Sequence, residues 1–445
     1  MNENQILTGK ISKTLISFFI PCWLGMLFQQ LYNTVDTMIV GNFVGTNAIA
    51  AVGSVSIAVQ LVIGICNGIA SGAGVLISQH YGAGKFHQVK TDIKNSLCIA
   101  GITGILFTII CVFGTEHFVS LMQIPEEITS DAVIYLKIYF CALIPNLIYN
   151  FGNAILRAMG DSKRPLYILI VASIVNIILD LVFVLLLGWG VFGVALATGL
   201  SQLISALMVF YLLHRQFPDL WKKQAIQQNI YGNIFKIGLP TALESIMYSF
   251  SNVLIQISIN SFGTAVIASW AIYGKVDCIC WMTMTSMGIA VTSFAGQNFG
   301  AGNYDRIRKC AVTGSALLTG FLFILVIIFY SIAPVLFRLF TYDPEVVRIG
   351  SGMLRFLAPT YFLYVLVEIL PGILRGCGDV IIPTIASVIG ICLIRVLWLM
   401  FVVPAYHSVN TVMLSYVVTW GITAIFYFFY FRYSHWLEKR IRRKH

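Results

Sequence analysis

The sequence predicts an all-α integral membrane protein of twelve transmembrane helices, arranged as two parallel six-helix repeats. Three observations carry that prediction. The chain is 58% hydrophobic and only 10% charged, with a mean hydropathy of +0.86, whereas a soluble domain is about a quarter charged. Twelve apolar runs each approach or exceed the roughly 20 residues that a spanning helix needs. A set of motifs also recurs at a constant separation of 218 residues. A transmembrane barrel is excluded, because its strands alternate over about ten residues rather than staying apolar for twenty.

The first run, 14–40, follows "MNENQILTGKISK" with no small-residue cleavage site, so that leading segment reads as retained. It contains "LYNTVDTMIVG" (31–41), in which Asp36 is the one acid between Lys13 and Lys85. Runs 48–79 and 95–115 are linked through "GAGK" (82–85). A phosphate-binding loop needs Gly five positions before the Gly-Lys and Ser or Thr after it, and Gln79 and Phe86 stand there instead. The tetrapeptide is a turn, and no nucleotide-hydrolysing motif appears, so any pumping draws on an ion gradient. Run 132–156 leads into "ILRAMGDSKRP" (155–165), whose Arg, Gly, Asp and Pro suit a helix end, a turn, a cap and the next helix start. Runs 165–188 and 192–213 complete the first copy, residues 1–213, and the polar stretch 214–234 is a cytoplasmic connector. The second copy, 235–431, holds runs 235–260, 266–295, 311–335, 350–374, 381–404 and 411–431, and residues 432–445 form a basic cytoplasmic tail.

The repeat is explicit in the motifs. "ISQHYGAGKF" (77–86) aligns with "FAGQNFGAGNY" (294–304), and "ILRAMGDSKRP" with "ILRGCGDVIIP" (373–383), so that Gln79 matches Gln297 and Arg157 matches Arg375. Gly45 and Gly263 fall at the same separation. Six spans is an even number, so both copies enter the membrane from one side. They should be related by an axis along the membrane normal.

The net charge of +10 follows the membrane rather than a nucleic acid. Lys10 and Lys13, then Lys85, Lys90 and Lys94, Arg157, Lys163 and Arg164, and Arg215, Lys222, Lys223 and Lys236 occupy alternate loops, continued by Arg306, Arg308, Lys309, Arg375 and the tail. That asymmetry places both termini in the cytoplasm of a plasma membrane. The ten cysteines fall mostly inside apolar runs and read as small buried hydrophobes, not as disulfides or a metal site.

Charges inside a bilayer are costly and point to function by default. In the first copy these are Asp36 and Asp180. Gln29, Asn33 and Asp36 form one polar stripe; Ser173, Asn176 and Asp180 form another; Asn146, Asn150 and Asn153, and Thr198, Ser201 and Ser205, form two more. Carboxylate, amide and hydroxyl oxygens without His or Cys suit a hard monovalent cation, and shielded carboxyls also take up protons. The competing reading is that these groups only bond helices together. That fits the amides and hydroxyls better than two acids lacking a basic partner in their spans.

Twelve spans in two repeats of six, "LYNTVDTMIVG" in span one, "GQNFGAG" after span eight and "LRGCGD…P" after span ten resemble the multidrug and toxic compound extrusion (MATE) family over essentially the whole chain. The resemblance implies a V-shaped bundle that exchanges Na⁺ or H⁺ for cationic, amphipathic aromatic compounds. It also implies that Asp36, Asn153, Asn176, Asp180 and Thr198 form the N-lobe cation and proton site, with transported Na⁺ or H⁺ as coupling ion and no resident metal or cofactor.

The second copy holds Glu244, Lys275, Asp277, Glu368 and Arg395, with Arg355 near a span end. Two readings stay open: a buried charge network, or contacts to ion or substrate. In "WMTMTSMG" (281–288), Met284 and Met287 are three apart, which suits either core packing or an adaptable substrate surface. The expected protein is therefore a monomeric cation-coupled exporter of small organic substrates, surrounded by lipid and without nucleic-acid partners. The alternatives are a flippase for a lipid-linked saccharide or other anionic precursor, favoured by Lys275, Arg355 and Arg395, and an integral-membrane transferase. The scatter of His80, His87, His117, His214, His407, His435 and His445 argues against the transferase.

Overall fold

The computed structural model describes residues 5–122, 124–220 and 229–444. The protein is all-α: no strand occurs among the described residues. A short helix α1 (Gln5–Thr8) precedes α2 (Ile11–Ile39), which continues as a π-helical turn at Val40–Val44. Then follow α3 (Thr46–Gly82), α4 (Phe86–Leu121), α5 (Glu126–Cys141), α6 (Leu143–Ala158), α7 (Lys163–Asp180) with a π-helical turn at Leu181–Leu186, and α8 (Gly190–Gln216). The second copy comprises α9 (Asn229–Asn260), α10 (Thr264–Gly300), α11 (Tyr304–Arg338), α12 (Pro344–Leu357), α13 (Tyr361–Gly376), α14 (Ile381–Ala405) and α15 (Val409–Tyr433), followed by the tail helix α16 (Trp436–Lys444).

Ten helices among the described residues, counting α12 and α13 as one, are long and apolar enough to cross a membrane. Helices α5 and α6, bent by 49° at their junction, make an eleventh span. The twelfth is α9, which is long but interrupted by Glu244, Ser245, Ser249 and Ser251. Twelve spans result, as the sequence predicts. Lys222, Lys223 and the middle of the connector lie outside the described residues.

The repeat reappears in backbone geometry. Gly45 and Gly263, Gly84 and Gly302, and Gly160 and Gly378 all have positive φ, between 70° and 122°. Such a conformation strains any residue with a Cβ. Each pair therefore reads as one turn used twice, and "GAGK" is the link between α3 and α4.

The chain forms two compact units. The N-unit is Leu24–Ala242; the C-unit is Leu243 onward together with the chain up to Trp23. These limits depart from the 1–213 and 235–431 boundaries read from the repeat. Packing supplies the reason. Leu15, Phe18, Phe19 and Cys22 belong to the C-unit core, where Phe19 stacks on Phe321 at 4.8 Å and Trp23 Nε1 donates to Thr283 Oγ1 at 3.1 Å. In the N-unit, a Cβ on Gly72 would stand 2.4 Å from Ile234 O, and one on Gly68 2.5 Å from the Ala242 backbone. The first part of α9 thus seats on α3 with backbones in contact, the small-residue packing common between membrane helices. Pro21 and Pro240 each lie two residues before the division of their helix.

No disulfide joins the ten cysteines; Cys22, Cys66, Cys280, Cys310, Cys377 and Cys392 are buried, and Cys141 is exposed.

Candidate functional site: a buried acid pair

In the N-unit, Asp36 on α2 and Asp180 at the end of α7 approach within hydrogen-bonding range of each other. Asp180 is fully buried, and neither of its oxygens has a hydrogen-bond donor; Asp36 Oδ1 is likewise buried without one. Two carboxylates both accept, so they can bond to each other only through a shared proton or a cation between them. An unpartnered buried carboxylate is costly, so the arrangement is poised to take up positive charge.

The surroundings fit that role. Asn176 sits one turn before Asp180, and both its amide atoms are buried and unpartnered. Asn153 Oδ1 on α6 also lacks a donor, while Asn153 bonds with Tyr149. Thr198 is buried on α8, but its hydroxyl donates to Val194 O at 3.1 Å, leaving only acceptor capacity. Gln29 and Asn33, from the first polar stripe, are exposed. Both acids precede π-helical turns that contact one another, Val40–Val44 and Leu181–Leu186. Such turns recur at functional sites because they break regular helix register.

Tyrosines complete the site. Tyr32, one turn before Asp36, lies within electrostatic range of Asp36, Asp180, Tyr139 and Tyr149, and Tyr135 is within range of both acids. Tyr135 and Tyr139 stack at 6.0 Å. The sequence signal for them was faint: a 4-residue spacing in span four and Tyr32 at i−4 from the acid.

The C-unit acids are arranged differently. Asp277 accepts from Tyr361 Oη at one oxygen and from Trp281 Nε1 at 2.7 Å at the other, and Tyr273 also bonds to it. Glu244 lies 3.6 Å from Arg375 Nη1. Glu368 is within electrostatic range of both and fills the space left by Gly288. Lys275 is exposed, and Arg395 rests on Tyr416 and bonds to Thr419. Of Glu244, Lys275, Asp277, Glu368 and Arg395, Glu244 alone forms an ion pair among the described residues, with Arg375. No ion pair joins Lys275, Asp277 and Arg395 among the described residues, because aromatic hydroxyl and indole donors satisfy the acid first. Arg375 is a residue of the repeated motif. Met284 and Met287 are fully buried in the C-unit core, where at a spacing of three they turn into the packed face of α10.

The MatE family model matches this chain twice, over residues 21–182 and 240–400. The chain belongs to the MatE family. The two matches coincide with the two copies, and this MatE chain is accordingly a membrane transporter and not an enzyme. Among relatives, the probable multidrug resistance protein YoeA of Bacillus subtilis is 28% identical, covering 99% of each chain. The FAD transporter of Shewanella oneidensis is 24% identical, covering 78% of each. The outward-facing structure of a multidrug resistance MATE family transporter of the MOP superfamily has the same fold, with a TM-score of 0.91, 23% identity and 99% of each chain covered.

The first match includes Asp36, Asn153, Asn176 and Asp180 and stops before Thr198; the second includes every C-unit charge named above. No group of three His, Cys, Asp or Glu fit for a metal occurs among the described residues.

Proposed function

We propose that this MatE transporter is a cation-coupled antiporter exporting amphipathic, mostly cationic organic compounds, with Asp36 and Asp180 as the coupling site. The observation that carries the reading is the acid pair, whose buried oxygens lack donors, whereas both oxygens of Asp277 in the C-unit accept from aromatic side chains. The multidrug name of the B. subtilis relative supports the substrate class. Either Na⁺ or H⁺ suits the site, since each supplies the positive charge that two facing carboxylates lack. Asn176 and Asn153 add neutral oxygens, and Thr198 adds an acceptor.

Entry of one cation down a membrane potential yields about 2.3 kcal/mol per 100 mV, which can drive expulsion of a bound compound against its gradient. The basic loops support a plasma-membrane orientation with both termini cytoplasmic, and the transporter acts as a monomer.

The test is export of a fluorescent organic cation from proteoliposomes under separately imposed Na⁺ and pH gradients. The reading expects accumulation driven by at least one of the two and abolished when both are collapsed. Movement that follows the substrate gradient alone would overturn it.

A further inference from the structure

Arg395 on α14 is a cation buried in the C-unit with no acid bound to it. It is 2% exposed, and no ion pair includes it among the described residues. Its guanidinium lies 4.2 Å from the Tyr416 ring centroid, and Nη2 donates to Thr419 Oγ1 at a long 3.3 Å. Nε has no partner. Trp420, on the same helix as Tyr416 and Thr419 and with its ring 5.3 Å from that of Tyr416, is 1% exposed and leaves Nε1 unpartnered as well. The carboxylate that acts on the same Tyr416 ring, Asp277, already holds Tyr361 and Trp281.

Chemistry selects the missing partner. Guanidinium and indole N–H groups donate and cannot accept, so the ligand must be an acceptor. A guanidinium is permanently charged and carries its charge into any site it occupies, so the acceptor best suited to it is an anion. A tyrosine face stabilises such a cation only in part, and burial of an unmatched charge in a membrane protein marks a ligand or ion position. The aromatic wall of Trp281, Tyr364 and Trp420, with ring centroids 4.9–6.3 Å apart, supplies apolar surface beside the charge, and the two carboxylates within electrostatic range of Tyr364, Glu244 and Glu368, are engaged with Arg375.

We propose that Arg395, with Trp420 Nε1 and the Thr419 and Tyr416 side chains, forms a site for a compact monovalent anion. That anion is either the carboxylate of an organic substrate or free chloride. Assigning it to a substrate rests on the transport reading above; the binding itself does not. The C-unit would then admit zwitterionic or carboxylated compounds alongside cations.

The test uses the purified full-length transporter in detergent, in a buffer whose only other anion is a bulky sulfonate. Sodium chloride and sodium benzoate are titrated separately while tryptophan fluorescence and thermal stability are followed. Wild type should respond saturably to at least one anion, with affinity falling at least tenfold in Arg395→Gln and several-fold in Trp420→Phe. Saturation by chloride alone identifies a free-anion site. Saturation by benzoate, with loss of carboxylated-dye export in Arg395→Gln, identifies a substrate group. No saturable response in wild type, or equal affinity in Arg395→Gln, overturns the proposal. Should Arg395→Gln fail to fold, unchanged affinity in Trp420→Phe overturns it. No gradient is applied in the titration, so a failed antiport reading would leave its outcome intact.

Discussion

The two units share turns, helix order and a family motif, yet they treat buried charge in opposite ways. In the N-unit, Asp36 and Asp180 face each other with oxygens that nothing donates to. In the C-unit, Asp277 is saturated by aromatic donors and Glu244 is matched by Arg375. The positions 218 residues away make the contrast sharper: Asp180 corresponds to Trp398, Asp277 to Val59 and Arg395 to Ile177. The repeat needs none of these charges to fold. Unspent acceptors in one unit and spent ones in the other are the difference on which the proposed cation site rests.

The widest gap between the units should appear in transport. Asp36→Asn or Asp180→Asn should lower gradient-driven export by roughly a hundredfold, as expected when a group acting in the essential step is lost. Asp277→Asn should leave export per folded molecule within about threefold. Comparable losses in all three variants, measured in proteoliposomes, would erase the distinction.

Next comes the matched pair. Glu244→Gln strands Arg375 in a largely buried setting, and breaking a buried pair costs about 3–5 kcal/mol. Nearby Glu368 should hold the loss toward the lower end. The double variant Glu244→Gln with Arg375→Gln should recover part of the stability, read as apparent melting temperature. Equal stability of the single variant and wild type would mean that the pair is not structural.

A smaller effect probes the helix crossings. Gly72→Ala drives a methyl into Ile234 O and Gly238 and should cost about 1–3 kcal/mol through overpacking. The corresponding C-unit residue is already Ala290. Ala290→Gly should therefore cost only about 1 kcal/mol, the helix-propensity penalty of glycine. A neutral Gly72→Ala would show that the N-unit crossing is looser than its backbone contacts imply.

The smallest concerns the tail. Asp379 accepts from Tyr430 at 2.7 Å and from Arg440 on α16 at 3.1 Å. Arg440→Gln should cost about 1 kcal/mol and increase proteolysis of the last helix. Its first-copy counterpart Asp161 instead caps α7 through the Lys163 and Arg164 amides, so Asp161→Asn should leave the tail untouched.

Much of this was written locally and so could be read. Span lengths, loop charges and the turn glycines are short-range properties, and Asp36 and Asp180 stand out because nothing else near them in sequence is charged. The polar stripes predicted which faces carry Asn153 and Asn176. What stayed hidden depends on partners far along the chain. Tyr361 is 84 residues from Asp277, and Arg375 is 131 from Glu244, so no spacing rule reaches them. Arg375 looked like a helix end, which it also is. His80 looked isolated, yet the turn after α3 folds it back to 2.5 Å from buried Asp92. Gln29 and Asn33 share a stripe with Asp36 but remain exposed, because periodicity gives a face and not its depth.

The central claim is that the cation binds in the N-unit and not in the C-unit. Binding of radiolabelled Na⁺, and proton uptake in its absence, can be measured on the purified transporter carrying Asp36→Asn, Asp180→Asn, Asp277→Asn or Glu368→Gln. Loss of the bound ion in the first two variants, with retention in the last two, is the predicted result. Retention in Asp36→Asn and Asp180→Asn, with loss in Asp277→Asn or Glu368→Gln, would contradict it.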